Sequence, residues 1–313
     1  MRKPEAPTDA SSSAARKLVA PELDPPFEVI EPPTLASPLV FSSPHSGSVY
    51  PASFTNAARL DPLSLRKSED AFVDELFMGA LDVGAPLMRA RFPRAYLDVN
   101  REPYELDPRM FDGRLPAYAN TRSIRVAGGL GTIARVVGEA QEIYSARMPV
   151  GEAIDRIDAL YKPYHQALRG LMTRASGVFG QAVLIDCHSM PSNAGRGARP
   201  EEQQRADIVL GDRYGTSCDP ALTDVAESEL RRMGYLVFRN KPYAGGYITE
   251  HYGNPAIGWH ALQVEINRGI YMNEKTMERS TGFAALQRDL GRLAGVLAEA
   301  TATSPGQRAA AAE

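Results

Sequence analysis

Two of the chain's five histidines stand at the polar ends of apolar runs, where an imidazole can ligate a metal ion. His45 follows Leu39, Val40 and Phe41 in SSPHSGSVYP, and His188 closes QAVLIDCHSM. Strand period puts Asp186 and His188 of DCHS on one face, so the acid can orient the ring. Two imidazoles and a carboxylate would complete the three protein ligands of a catalytic zinc, with a fourth position open to water. The stretch 66–84 supplies candidate acids in Glu69, Asp70 and Asp74. Phe72, Val73, Leu76, Phe77, Ala80 and Leu81 recur there at helical spacing, and Gly84 follows as a stop. Asp70 is preferred because it falls beside the N-terminal turn of that helix, with Glu69 next.

A zinc hydrolase also needs a base for its water. Alternation in HALQVEINRG sets Leu262, Val264 and Ile266 on one face and Gln263, Glu265 and Asn267 on the other. A carboxylate in such an apolar strand is costly unless it has a partner or a task, which makes Glu265 the candidate. Arg101, in DVNRE, could stabilise an oxyanion or clamp a substrate carboxylate, with Asn100 adding an amide contact. The Gly-rich YAGGYITEHYG reads as a loop that closes on substrate and brings Tyr247 and His251 with it. Blander readings stand beside these: a core histidine bonded to a carbonyl, a solvated helix turn, a buried Glu265 ion pair with Arg268 or Arg101. GxSxG and HExxH are absent, and AGGLGT (127–132) lacks the lysine of a phosphate loop.

The elements that must position these residues alternate. Strands are expected at 38–42, 86–90, 95–99, 181–190, 235–238 and 260–269. Helices are expected at 66–84, 132–148, 150–176 with a break near Pro163, 220–233 and 275–300. Residues 103–131 carry little periodicity and read as a long functional loop. Alternation of this kind argues for an α/β layered domain. The boundaries are drawn as a disordered tail at 1–26, one α/β hydrolase domain at 27–302 and a flexible tail at 303–313.

Apolar residues at 43% suffice for a sizeable core. A net charge of -3 gives no footing for a nucleic-acid or membrane partner. No apolar run approaches the ~18 residues of a membrane helix, and the N-terminus lacks a signal peptide's apolar stretch. Cys187 and Cys218 are expected as reduced thiols, and the cytoplasm as the location.

The ordered set PHSG (44–47), ED with VDEL (69–76), DVNRxP (98–103), DCHS (186–189), GGYITEHYG (245–253) and LQVEINRGIYM (262–272) resembles the N-formylglutamate amidohydrolase family. The likeness spans about residues 38–295. It implies a mixed, mostly parallel central sheet flanked by helices, as in phosphorylase/hydrolase-like and zinc-carboxypeptidase-like folds, with one zinc ion per chain. It implies hydrolysis of N-formyl-L-glutamate to formate and glutamate in histidine breakdown. Under it His45 and His188 are ligands, an acid of the 69–70 pair is the third, Glu265 is the base and Arg101 binds substrate. The wider fold's HxxE motif would put an acid at position 48, where this chain has Ser48. A substrate with two carboxylates calls for a further cation, with Arg94, Arg239, Arg268 and His251 as candidates. The expected partner is thus a small anionic N-acyl amino acid. The alternatives are another N-acyl amino acid or short peptide on the same site, and a non-catalytic binding module.

Overall fold

The structure, a computed structural model, describes residues 20–194 and 205–302. Seven strands form its main sheet: β1 (Phe27–Ile30), β2 (Leu39–Ser43), β3 (Leu87–Ala90), β4 (Ala182–Met190), β5 (Ile208–Gly211), β6 (Val237–Arg239) and β7 (Trp259–Asn267). Their order is β1-β3-β2-β4-β7-β5-β6. The β1–β3 and β7–β5 pairs are antiparallel and the others parallel, so the sheet is mixed and mostly parallel.

Helices cover both faces. On one, α1 (Lys162–Phe179) packs Tyr164, Leu168 and Met172 against Val40, Leu184 and Ala261. On the other, α2 (Pro220–Arg232) and α4 (Phe283–Ala302) cover Val183, Ile185, Leu262, Val264 and Ile266. A third helix, α3 (Tyr247–Tyr252), lies beside β7 and β4. Burying each such aliphatic side chain contributes about 1.5–3 kcal/mol. The α1 face carries the chemistry. Along β4 it runs Ala182, Leu184, Asp186, His188, and along β7 Ala261, Gln263, Glu265, so both strands turn polar only near their carboxyl ends. Parallel register sets Glu265 opposite His188 and Gln263 opposite Asp186.

Several expected elements take other forms. The helix drawn over 66–84 is three short pieces, Pro62–Arg66, Val73–Leu76 and the 3-10 turn Met78–Val83. Two features interrupt it: the Asp70 N–H donates to the His45 carbonyl at 3.0 Å, and Phe72 has a left-handed φ of 64°. Residues 95–99 are turns rather than a strand, with the Asp98 N–H on the Thr132 carbonyl at 2.8 Å. No α-helix forms over 132–148, where Val136–Val137 pairs with Gln141–Glu142 in a small hairpin whose 3-10 turn, Gly138–Ala140, holds Ala140 at φ 57°. The helix over 150–176 continues through Pro163, because a π turn at Ile157–Tyr161 widens the spiral just before it.

Of the expected tails, 1–19 and 303–313 lie outside the described residues. Pro21–Leu23 forms a 3-10 turn with Leu23 buried in the core, so the described chain is folded well before residue 27. Cys187 and Cys218 are buried free thiols. Among the described residues no helix is long and apolar enough to cross a membrane.

Gly47 lies against the 91–92 segment with no room for a side chain. A Cβ there would collide with the Phe92 carbonyl oxygen. Gly47→Ala must push this strand exit away from 91–92, where the Val49 N–H meets the Arg91 carbonyl at 3.0 Å. A loss of about 1–3 kcal/mol is expected, read as a lowered melting temperature together with a lower bound-metal fraction. Wild-type values for both would contradict this account of the position.

Candidate metal centre

His45 leaves β2 and His188 ends β4, and their ring centroids lie 4.8 Å apart. Each directs Nδ1 at one atom. Asp70 Oδ2 stands 3.4 Å from His45 Nδ1 and 3.0 Å from His188 Nδ1. All three side chains are buried, and their ligand atoms lie within 4.8 Å of one another. His45 Nδ1 is itself enclosed and has no hydrogen-bond partner. An unpaired buried polar atom is costly. Two imidazole nitrogens and a carboxylate oxygen converging around it are a donor set that fits a metal ion.

Both outer nitrogens face acids. His45 Nε2 donates to Asp98 Oδ1 at 2.8 Å, and His188 Nε2 lies 3.0 Å from Asp186 Oδ1. Carboxylates in that position fix the ring and strengthen the inner nitrogen as a ligand. Asp98 also accepts from the Asn100 N–H and from Arg94, each at 2.8 Å. Asp70 Oδ1 accepts from Arg268 at 2.9 Å, which leaves Oδ2 to the histidines.

The charges follow from these contacts. Burial alone would raise the Asp70 pKa. The His188 and His45 imidazoles and the Arg268 charge outweigh it and hold the carboxyl well below its usual range. Burial is likewise overcome at Asp98 by Arg101, His45 and Arg94. At His188, burial favours the neutral ring, but Asp186 and Asp70 raise its pKa well above the ordinary value in the metal-free protein.

Geometry selects among the three candidate acids. Glu69 takes the Tyr50 hydroxyl at 2.6 Å and the Arg66 guanidinium, and Asp74 takes Arg89 at 2.8 Å. Only Asp70 reaches the histidines, and it does so from a turn rather than from the expected helix face.

A cleft of about 470 Å³ opens beside the three residues, with Asp70, Arg94, Asp98, Arg101 and Glu265 in its wall. Glu265 is half-buried there. Burial, with Asp70 and Asp186 adding and His188 and Arg94 opposing, pushes its carboxyl up to about 7. Arg101 is steered by its own backbone contacts, Nε to the Leu130 carbonyl at 2.9 Å and Nη1 to the Asn100 carbonyl at 2.8 Å.

Other expected contacts lie elsewhere. Asn100 is buried behind the centre, its Oδ1 accepting from the Ile248 N–H at 2.8 Å and its Nδ2 lying 3.1 Å from His188 Nε2, so it braces the site rather than lining the cleft. Arg268 borders the cleft, but its donors are committed to Asp70, Ser189 and the Lys67 carbonyl. Tyr247 and His251 do not reach the cleft. The stretch 247–252 is helical, which buries Ile248, Thr249 and Tyr252 and turns Tyr247, Glu250 and His251 to a separate depression. There His251 Nε2 lies 2.7 Å from Arg169. Arg239 pairs with Asp224 and Glu227, and borders none of the cleft. Two site residues escaped the sequence reading. Asp98 had a signal, an acid two places before the Asn-Arg pair. Tyr243, also in the cleft wall, had none.

A family model for N-formylglutamate amidohydrolase matches residues 37–272. An N-formylglutamate deformylase of Pseudomonas putida is 30% identical over 240 residues, 76% of this chain and 82% of the relative. The crystal structure of N-formylglutamate amidohydrolase from Ralstonia eutropha JMP134 superposes with a TM-score of 0.82 at 42% identity, over 88% of this chain and 98% of that one. A gene product of Agrobacterium tumefaciens, 18% identical with a TM-score of 0.58 over 88% of this chain and 95% of its own, shares the fold.

Proposed function

The chain belongs to the N-formylglutamate amidohydrolase family, and on that premise we propose that it is a cytoplasmic, zinc-dependent amide hydrolase cleaving N-formyl-L-glutamate to formate and L-glutamate. The observation that carries the reading is the convergence of His45 Nδ1, His188 Nδ1 and Asp70 Oδ2 beside a cleft walled by Glu265 and Arg101. The site's place at the carboxyl ends of parallel strands also supports kinship with the zinc carboxypeptidases.

His45, Asp70 and His188 would hold one zinc ion, which when bound polarises a carbonyl and lowers the pKa of a water toward ~7. Glu265 accepts the proton of the attacking water. In the metal-free chain, burial and its acidic neighbours raise the affinity of this carboxyl for a proton, the direction a proton acceptor needs. As the C–N bond breaks, Glu265 returns the proton to the departing nitrogen, so one water is consumed and formate and the amine are released. Arg101 clamps a substrate carboxylate. Asp98 on His45 and Asn100 on His188 keep the two imidazoles aimed, with the Asp186 carboxylate beside the second.

The test is amine release from N-formyl, N-acetyl and N-succinyl amino acids by the zinc-loaded protein. N-formyl-L-glutamate is expected to react fastest, with activity lost to a chelator and restored by zinc. A cleft of about 470 Å³ with Leu130, Val136 and Met190 in its wall favours, as the second reading, a bulkier N-acyl amino acid or short peptide. Faster release from a larger acyl substrate would establish that reading instead. A zinc-loaded protein that releases amine from none of the panel would be a binding module.

A further inference from the structure

Gln263 and Glu265 share a face of β7, and Gln263 is buried. The orientation of its amide is set from outside the strand. Gln263 Oε1 accepts the Gly246 N–H at 2.9 Å, which turns Nε2 to donate to Glu265 Oε1 at 3.1 Å. An inverted amide would oppose N–H to N–H on one side and oxygen to carboxylate on the other. Among the described residues, Gln263 makes the one hydrogen bond that the Glu265 carboxylate receives.

The Gly246 N–H belongs to the amino-terminal end of α3, which docks so closely that a Cβ at Gly246 would run into the Asn100 amide. Two residues on, the Ile248 N–H donates to Asn100, and Asn100 touches His188. One backbone segment therefore braces a metal-site histidine through Asn100 and the carboxylate through Gln263.

We infer that Gln263 is a positioning residue for the reaction, fixing the Glu265 carboxylate in the cleft through an amide whose orientation α3 dictates. This rests on Glu265 being the proton acceptor. Gln263 does not touch substrate. It removes rotational freedom from a half-buried carboxylate that no other described residue hydrogen-bonds, and misplacement of a reacting group by about 1 Å costs on the order of a hundredfold in rate.

Two variants of the zinc-loaded full chain test it. Gln263→Glu keeps the acceptor for the Gly246 N–H and the side-chain length but replaces the amide donor to Glu265 with a second carboxyl. Gln263→Met removes both the amide donor and its acceptor without adding charge. Both are expected to lower kcat on N-formyl-L-glutamate about 10–100-fold, with KM within about threefold and zinc content unchanged. If Gln263 serves only to anchor α3, Gln263→Glu keeps a near-normal kcat, and a kcat within about twofold of wild type overturns the inference. A wild-type kcat in Gln263→Met overturns it equally, and decides the matter should Gln263→Glu fail to fold. Glu265→Gln separates the two levels. Turnover retained there removes the role of Glu265 itself, whereas an inactive Glu265→Gln beside a fully active Gln263→Glu removes only the role of Gln263.

Discussion

Glu265→Gln is expected to lower turnover about 10²–10⁴-fold while the protein keeps its zinc. The substitution is nearly isosteric and stays within reach of the Gln263 amide. What it removes is the titrating oxygen. Glu265 is not one of the three residues whose ligand atoms converge, so metal content is expected to stay at one per chain. Turnover within about tenfold of wild type would sink the assignment.

The same residue sets a pH dependence whose sign follows from linkage. Its folded pKa of about 7 lies above the ordinary glutamate value of 4.5, so between those values the folded metal-free chain binds more protons than the unfolded one. Its contribution to stability is therefore present below 4.5 and is lost as pH rises through about 7. Glu265→Gln is expected to flatten that part of the melting-temperature profile of metal-free protein. A profile as steep as wild type's would place the titration on another group.

Asp70→Asn is expected to abolish stable zinc binding and, with it, all turnover. Asp70 is the one carboxylate shared by both imidazoles, and its other oxygen neutralises Arg268. The neutral amide leaves that guanidinium buried without its counter-charge, a change that costs about 3–5 kcal/mol where a buried pair is broken. Metal analysis after gel filtration and a melting curve read the two effects separately. Full zinc occupancy in Asp70→Asn would exclude it as a ligand. In the wild type, zinc uptake must displace the proton that Asp186 and Asp70 hold on His188. Affinity is therefore expected to climb with pH, measurable against a competing chelator from about pH 6 to about pH 8.

The parts of the site legible in sequence are those carried by strands. β2, β4 and β7 announce themselves by apolar alternation that turns polar at one end, and His45, His188 and Glu265 fall at those ends. Legibility stops where long-range backbone bonds override local pattern. The apolar spacing of 66–84 suits a helix, yet the bond from Asp70 to the His45 carbonyl holds the chain in a turn. Asp98 sits on a turn with no periodicity, tied to Thr132 from far along the chain. The glycine pair before Tyr247 and His251 suits a loop, whereas only Gly245 needs the freedom, at φ 124°, and a helix begins two residues later.

The facing of Glu265 and His188 across neighbouring parallel strands has a consequence for how this architecture can diversify. Their separation is set by the spacing of hydrogen-bonded strands, about 4.8 Å, and owes nothing to loop conformation. Leu130, Val136 and Val137, on the other wall of the cleft, come from the irregular stretch between β3 and α1. The facing of the proposed base and ligand is thus fixed by the sheet, whereas this part of the cleft wall is set by loop conformation. Under the proposed function, substitutions at Leu130, Val136 or Val137 can therefore change which N-acyl amino acid fits without moving Glu265 relative to His188.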